Sequence, residues 1–364
     1  LKVALLGAGH IGQTIATLLH GSGDYALTVL DHNAAALTRL AVQGIHTKLL
    51  NSTDEPDLLR AIQGAEVVLN ALPYHLALAC ARAALKAGCH YFDLTEDVAT
   101  TQQIQRLADG ANTVFMPQCG LAPGFIAIVA HHLTLSFDTL LDIKLRVGAL
   151  PAFPTNALKY NLTWSVDGLI NEYCRPCECI HDGQMMEVLP LEGLEHFSLD
   201  GTEYEAFNTS GGLGTLCATL AGRVRNLDYK TVRYLGHRDL MAMLLDDLQL
   251  KNDQEALKAM LRRAMPVTMQ DLVLVFVTVS GMRDGRLMQE VFARKIFADR
   301  NPIAPLSAIQ ITTAGSICAV LDLFRTGHLP RSGFIRQEQV ELPIFLANRF
   351  GMAYQQSRQV ESIG

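Results

Sequence analysis

Short apolar runs recur along the first third of the chain, at residues 3–6, 26–30, 45–49, 66–70, 89–93 and 113–116. Between them lie stretches with apolar positions at helical spacing, such as 11–19 and 75–86. Strands that are apolar throughout, alternating with amphipathic helices, predict a parallel sheet covered on both faces. Six such strands fit a doubly wound α/β domain. Beyond residue 121 the pattern changes. A helix is predicted after Pro123-Gly124, a long strand over 140–148, and tight hairpin turns at Asp182-Gly183, Asp200-Gly201 and Asp284-Gly285, because Asp and Gly tolerate positive φ between strand-like runs. The second part is therefore expected to be α+β, around a mixed or antiparallel sheet. Further helices are predicted over 161–173, 237–250, 254–265 and 306–325, the last stopped by Gly327 and Pro330. The domains predicted are 1–121, 122–302 and a C-terminal helix and tail over 303–364.

Composition narrows the function. With 30 Lys and Arg against 36 Asp and Glu, net charge −6, the chain has no basic field to hold nucleic acid. Only 18% of residues are charged and 49% are hydrophobic, so a large core is available and disorder is excluded. The longest strongly apolar run, 272–279, is about a third of the ~20 residues a membrane helix needs, so no bilayer span is expected. The sequence opens on a strand with no charged leader, and its eight cysteines sit mostly in apolar stretches. Reduced thiols and a cytoplasmic location are the expectation.

The first strand runs into Gly7-Ala8-Gly9-His10-Ile11-Gly12 and then a helix, the context in which a glycine-rich turn binds a dinucleotide. The first Gly permits the turn, the second admits the pyrophosphate to backbone amides, and the third lets helix and strand pack. Asp31, 19 residues beyond Gly12, ends the second strand where an acid accepts hydrogen bonds from the adenosine ribose. Its charge opposes a 2′-phosphate, and neither His32 nor Asn33 is an obvious phosphate clamp, so NAD is expected over NADP. Asp54, Asn70, Ala71, Leu72 and Pro73 follow strands and are expected near adenine and ribose, with Gly120 near the nicotinamide; each also has a plain structural reading as a loop residue. Cys174, Cys177, Cys179 and His181 crowd into eight residues, unlike the two separated ligand pairs of structural zinc, and no metal is expected.

Three motifs add a family likeness: Val68-Leu69-Asn70-Ala71-Leu72-Pro73-Tyr74, His90-Tyr91-Phe92-Asp93-Leu94-Thr95 and Gly120-Leu121-Ala122-Pro123-Gly124-Phe125. So do Tyr160-Asn161, Glu205-Ala206-Phe207, Thr209-Ser210-Gly211-Gly212, Tyr229-Lys230-Thr231-Val232-Arg233-Tyr234 and Gly236-His237. With these the sequence resembles the saccharopine dehydrogenase family, most closely its lysine 6-dehydrogenase branch, over nearly the whole chain. The resemblance implies an NAD(P)-dependent enzyme that removes hydride from a carbon bearing nitrogen. It also implies a Rossmann domain, a mixed-sheet substrate domain that builds a homodimer, and a C-terminal helix returning to the first domain. Leu235 and the cysteine cluster depart from the family pattern.

Amine oxidation needs a neutral substrate nitrogen, hence a base or a field that lowers the amine pKa, and an amino-acid carboxylate calls for an Arg. His237, after a strand and a glycine and at the start of a helix, which aims the imidazole and depresses its pKa, is the first candidate for acid/base work; a buried or helix-capping histidine is the equal alternative. Arg233 is the candidate for the carboxylate, with a solvated strand arginine as the plainer reading; Asp93, at the carboxyl edge of the fifth strand, reads equally as a site residue and as a local helix cap; Tyr160 is favoured by the resemblance alone. Lys159 reads as a solvent charge. The Thr209–Gly212 segment reads as a helix start that could also offer amides to an anion. The reaction expected is oxidation of a C–N bond in a small, lysine-like amino acid. A reductase joining an aldehyde to an amino compound, and an NAD-binding sensor without chemistry, remain the alternatives.

Overall fold

The computed structural model describes residues 1–50, 53–299 and 305–355. The chain divides into two compact units, Leu1–Ile128 with Thr312–Met352, and Val129–Ile311 with the segment that begins at Ala353. The boundary predicted between 302 and 303, and residues 356–364 of the predicted tail, lie outside the described residues.

The first unit is the doubly wound α/β domain. Strands β1 (Lys2–Leu6), β2 (Ala26–Asp31), β3 (His46–Leu49), β4 (Val67–Asn70), β5 (His90–Asp93) and β6 (Val114–Met116) are all parallel, in the order β6-β5-β4-β1-β2-β3. Helices His10–Ser22, Ala34–Val42, Glu55–Ala61, Tyr74–Ala87 and Val98–Leu107 connect them. The local chemistry explains their ends. Asn33 and Asp97 accept the amides of Ala36 and Thr100 as N-caps, and Gly23 and Gly88 take left-handed conformations at C-termini. The strand order reverses between β1 and β4, the switch point outside which such sheets bind ligands. A two-residue strand, Gly333–Phe334, adds itself parallel to β6; it is too short to leave a pattern in the sequence.

The second unit carries β7 (Thr139–Pro151), β8 (Cys177–His181), β9 (Gln184–Val188), β10 (Glu195–Leu199), β11 (Thr202–Asn208), β12 (Val224–Tyr234), β13 (Asp271–Arg283) and β14 (Arg286–Phe297). Six of them form the order β10-β11-β12-β7-β13-β14, with β12 and β7 parallel and the rest antiparallel, so the sheet is mixed. The three Asp-Gly pairs close the hairpins β8–β9, β10–β11 and β13–β14, each with positive φ at both residues. A buried cluster that includes Leu169, Tyr173, Phe207, Met241 and Leu257 packs helices Val166–Cys174, His237–Ala242 and Gln254–Ala264 on the sheet.

Two predicted helices change. The one expected over 161–173 begins only at Val166, because Leu162 pairs with Val267 as a β-bridge and Ser165 caps Gly168 N. The one expected over 237–250 stops being α-helical at Ala242, continues as a π turn over Met243–Asp247, and breaks at Gln249 with φ 57°. Asp246 and Asp247 at its carboxyl end oppose the helix dipole.

Helix Ala308–Arg325 is long and apolar enough to cross a bilayer, which run length alone does not reveal, yet 83% of it is buried inside the protein. Asp271 caps its first amides, those of Ala308 (2.5 Å) and Ile309 (3.1 Å). Near its end Phe324 packs on His90 and Phe92 of β5.

Candidate functional site

In the first unit the three motif glycines occupy places that fit the roles a dinucleotide demands. Gly7 has φ 105°, and a Cβ there would meet the Ala71 carbonyl at 2.9 Å. At Gly12 a Cβ would overlap the Gly7 oxygen, so this glycine is what lets helix His10–Ser22 sit against β1. Gly9 is different. Nothing lies within 4 Å of a Cβ built there, which leaves open the space beside the helix N-terminus where a pyrophosphate would approach. His10 and Ile11 open that helix.

Asp31 is buried at the end of β2. One carboxylate oxygen accepts the amide of Ala8 in the glycine turn (2.6 Å), and the other accepts the amide of Asn33 (2.7 Å) and faces Nδ1 of the exposed His32 (3.2 Å). Asn70 is buried at the end of β4, and its Oδ1 accepts Leu72 N (3.1 Å), which places Ala71 and Leu72 against Gly7. Pro73 is the N-cap of helix Tyr74–Ala87, and Asp54 stands exposed as the N-cap of helix Glu55–Ala61. Gly120 is buried and bridges to Gly124.

Asp93 is engaged locally, among strand ends. It is wholly buried: Oδ2 accepts the Tyr91 hydroxyl (2.9 Å), and Oδ1 accepts the amides of Thr95 and Gln118 (both 3.0 Å). Burial pushes its carboxyl up to about 6 against the lowering effect of those three donors. Flanked by β4 and β6 in the middle of the sheet, this side chain organises strand ends and does not reach for a substrate.

The second unit gathers the other candidates on one face of its sheet. Arg233, on β12, is 3% exposed; its Nε donates to Tyr173 Oη (2.9 Å), its Nη1 to Val232 O (2.8 Å), and the guanidinium lies 4.6 Å from the Tyr160 ring centroid. Glu205, opposite it on β11, spends its carboxylate oxygens on the amides of Gly236 (2.8 Å) and Arg238 (2.6 Å). Burial disfavours the arginine charge, but Tyr173, Tyr160 and the Glu172 carboxyl outweigh it and hold the pKa above its ordinary value. The result is a buried, charged fork whose hydrogen bonds run to neutral acceptors, beneath aromatic rings.

His237 is 1% exposed. Nδ1 lies 2.7 Å from the Leu158 carbonyl, which only accepts, so Nδ1 carries the proton and Nε2 accepts the Tyr173 hydroxyl (3.1 Å). Burial, then the positive charge of Arg233, lowers its pKa to about 3. That corrects two expectations. The cause is desolvation and not a helix terminus, since the helix it opens has six residues. The imidazole is also a poor proton acceptor near neutral pH and serves to fix Tyr173. Tyr160 is fully buried, its ring 5.4 Å from that of His237 and its Oη accepting Trp164 Nε1 (3.0 Å).

Tyr173, Glu172 and Trp164 complete this cluster without having been singled out, and nothing in their spacing marks them; Glu205, quoted only as part of a family motif, joins them through the register of β11 against β12. Lys159 donates to Leu235 O. The segment after β11 is partly used internally: Ser210 N and Oγ bond Glu172 O and Pro176 O, and Gly212 lies against the Tyr229 ring. Among the described residues, Cys174, Cys177, Cys179 and His181 form no metal-holding group, and all eight cysteines are free.

Comparison with known proteins adds identity to this geometry. The profile of the saccharopine dehydrogenase NADP binding domain matches residues 3–114, and that of the saccharopine dehydrogenase C-terminal domain matches residues 120–346. The chain is 21% identical over 326 residues to the mitochondrial alpha-aminoadipic semialdehyde synthase of Mus musculus, covering 83% of this chain and 34% of that protein. To the Bos taurus protein of the same name it is 20% identical over 332 residues, covering 84% and 34%. It thus spans about a third of the length of these relatives. The apo saccharopine dehydrogenase (L-Glu forming) of Saccharomyces cerevisiae shares the fold, with a TM-score of 0.78 at 16% identity over 94% of this chain and 96% of that one. These matches support the family as a whole and not its lysine 6-dehydrogenase branch in particular.

Proposed function

The chain belongs to the saccharopine dehydrogenase family, and from that premise we propose that it oxidises the C–N bond of a lysine-like amino acid, either saccharopine or the side-chain amine of lysine. It is an oxidoreductase with a nicotinamide-binding domain, and the nicotinamide, when bound, supplies the hydride acceptor. The observation that carries the substrate reading is Arg233: a buried guanidinium with neutral hydrogen-bond partners is suited to a planar carboxylate, which it would hold with two parallel bonds. Tyr160 and Tyr173 flank that charge and exclude water from it, and His237 keeps the Tyr173 hydroxyl in one orientation. With His237 held neutral, the substrate enters as its free amine, drawn from solution at alkaline pH. The descriptions of the two matching family profiles favour saccharopine over free lysine, and microscopic reversibility lets the same residues serve the reductive direction.

Asp31 favours NAD, because a carboxylate at the end of β2 accepts ribose hydroxyls and repels a 2′-phosphate, although the matching family profile is described as binding NADP.

The test is absorbance at the reduced-nicotinamide band, with NAD and NADP separately, against saccharopine and lysine at about pH 9 to 10, where amines lose their protons. Reduction with either substrate is expected, and Arg233→Lys, which keeps the charge but gives up the fork, should lower kcat/KM about 100-fold, the equivalent of one charge-assisted hydrogen bond pair. Full activity in that variant would remove Arg233 from substrate binding, and silence in both directions despite cofactor binding would sink the dehydrogenase reading.

A further inference from the structure

A continuous hydrogen-bonded chain runs along the carboxyl ends of the first unit's strands. The amides of Thr95 and Gln118, in the segments after β5 and β6, bond Asp93 Oδ1. Asp93 Oδ2 accepts the Tyr91 hydroxyl at 2.9 Å, and the same phenolic oxygen accepts Asn70 Nδ2 at 3.1 Å. Asn70 Oδ1 then holds Leu72 N, and the Ala71–Leu72 backbone is what Gly7 packs against. The glycine turn is thereby tied, through the side chains of Asn70 and Tyr91, to a carboxyl group two strands away from β1.

We propose that Asp93 is a positioning residue for the nicotinamide cofactor: its ionised carboxylate, acting through Tyr91 and Asn70, holds the Ala71–Leu72 backbone against the Gly7 turn and so sets cofactor affinity. The proposal rests on the cofactor reading of the glycine motif and extends it to a residue that touches no ligand.

The proton bookkeeping gives the chain two states. With Asp93 ionised, the Tyr91 hydrogen points to Oδ2 and the phenolic oxygen is left to accept Asn70. With Asp93 protonated, Oδ2 becomes a donor toward Tyr91, and the phenolic hydrogen turns to the alternative acceptor already beside it, the Ala77 carbonyl at 3.1 Å. Asn70 Nδ2 must then share the phenolic oxygen with a second donor, and its grip on Leu72 loosens. The titratable groups that face Asp93 are Tyr91 on its own strand, Cys80 from helix Tyr74–Ala87 and Cys119 from the chain after β6. Burial raises all three, Cys80 to about 12, so each keeps its proton between pH 5 and 8 while Asp93, held at about 6, changes state.

The experiment is calorimetric titration of the full-length protein with NAD, and separately with NADP, at intervals from about pH 5 to 8, with circular dichroism confirming the fold at each point. If the ionised form is the competent one, Kd should be about tenfold higher one pH unit below the Asp93 pKa than well above it. Asp93→Asn keeps an acceptor for Thr95 and Gln118 but cannot ionise, so its Kd should show no step. Tyr91→Phe breaks the relay while leaving Asp93 in place, and should bind more weakly at every pH, again without the step. A merely structural Asp93 would lower thermal stability in the variants and leave no pH step in the wild-type Kd. A flat wild-type profile, or a step that survives in either variant, overturns the proposal. Absence of binding of both cofactors at pH 8 overturns the cofactor reading and the proposal with it.

Discussion

Asp31 combines two tasks in one carboxylate, accepting the Ala8 and Asn33 amides and presenting negative charge where a ribose would lie. Asp31→Asn retains one amide acceptor and removes the charge, so the ratio of kcat/KM for NAD over NADP should fall by about tenfold or more, the scale of one unfavourable charge contact of ~1.4 kcal/mol. An unchanged ratio would assign cofactor choice to another residue. The glycine turn and Asp31 are legible in the sequence because their demands are on the backbone and on a fixed distance along it. Arg233 and His237 are nominated by chemistry and Tyr160 by the resemblance, and the three do meet in one cluster, but their roles depend on burial, which no local pattern encodes. His237 and Asp93 both read as reactive groups and both prove to be enclosed, one as an imidazole that orients a tyrosine and the other as a carboxylate that ties strand ends. Tyr173, at the heart of that cluster, looks in the sequence like the last residue of an ordinary amphipathic helix.

At the scale of elements, two glycines with the same side chain answer to different constraints. Gly9 has open space on its Cβ side, whereas a Cβ at Gly212 would overlap the buried Tyr229 ring. Gly9→Ala should leave thermal stability nearly unchanged and weaken cofactor binding, since the methyl stands where phosphate would approach. Gly212→Ala should lose about 1–3 kcal/mol of stability, the usual cost of overpacking a core. Thermal unfolding with and without NAD distinguishes them, and equal loss of stability in both variants would contradict the assignment. The three Asp-Gly hairpins are readable for the same kind of reason as the dinucleotide turn, because positive φ at two successive positions restricts the residue types. The break after Ala242 and the late start at Val166 are not, since a β-bridge from Leu162 to a residue about a hundred positions away decides one and a π turn decides the other.

The charges buried on folding set the pH response of the whole molecule, and their signs oppose one another. Asp93 and Asp271 are each raised from 3.8 to about 6, chiefly by burial, so their contribution to stability is fully present below about pH 4 and is lost as pH rises through 6. His237 is lowered from 6.5 to about 3, so its contribution is present above about 6.5 and is lost as pH falls toward 3. On going from pH 7 to 5, the His237 imidazole destabilises the fold by about 2 kcal/mol, with His90, also lowered by burial, adding in the same direction, while the two carboxyls together stabilise it by about 3 kcal/mol. Urea unfolding of the wild type should therefore show a smaller loss between pH 7 and 5 than the His237 imidazole alone would impose. Replacing both carboxyls, Asp93→Asn with Asp271→Asn, weakens the cap on helix Ala308–Arg325 at either pH but removes the acid-side compensation. The double variant should then be about 2 kcal/mol less stable at pH 5 than at pH 7, with His237 as the exposed liability. A wild type that already loses several kcal/mol over that interval would mean that the two aspartates are ionised in the fold well below pH 6, and with that the acid-side half of the balance would vanish.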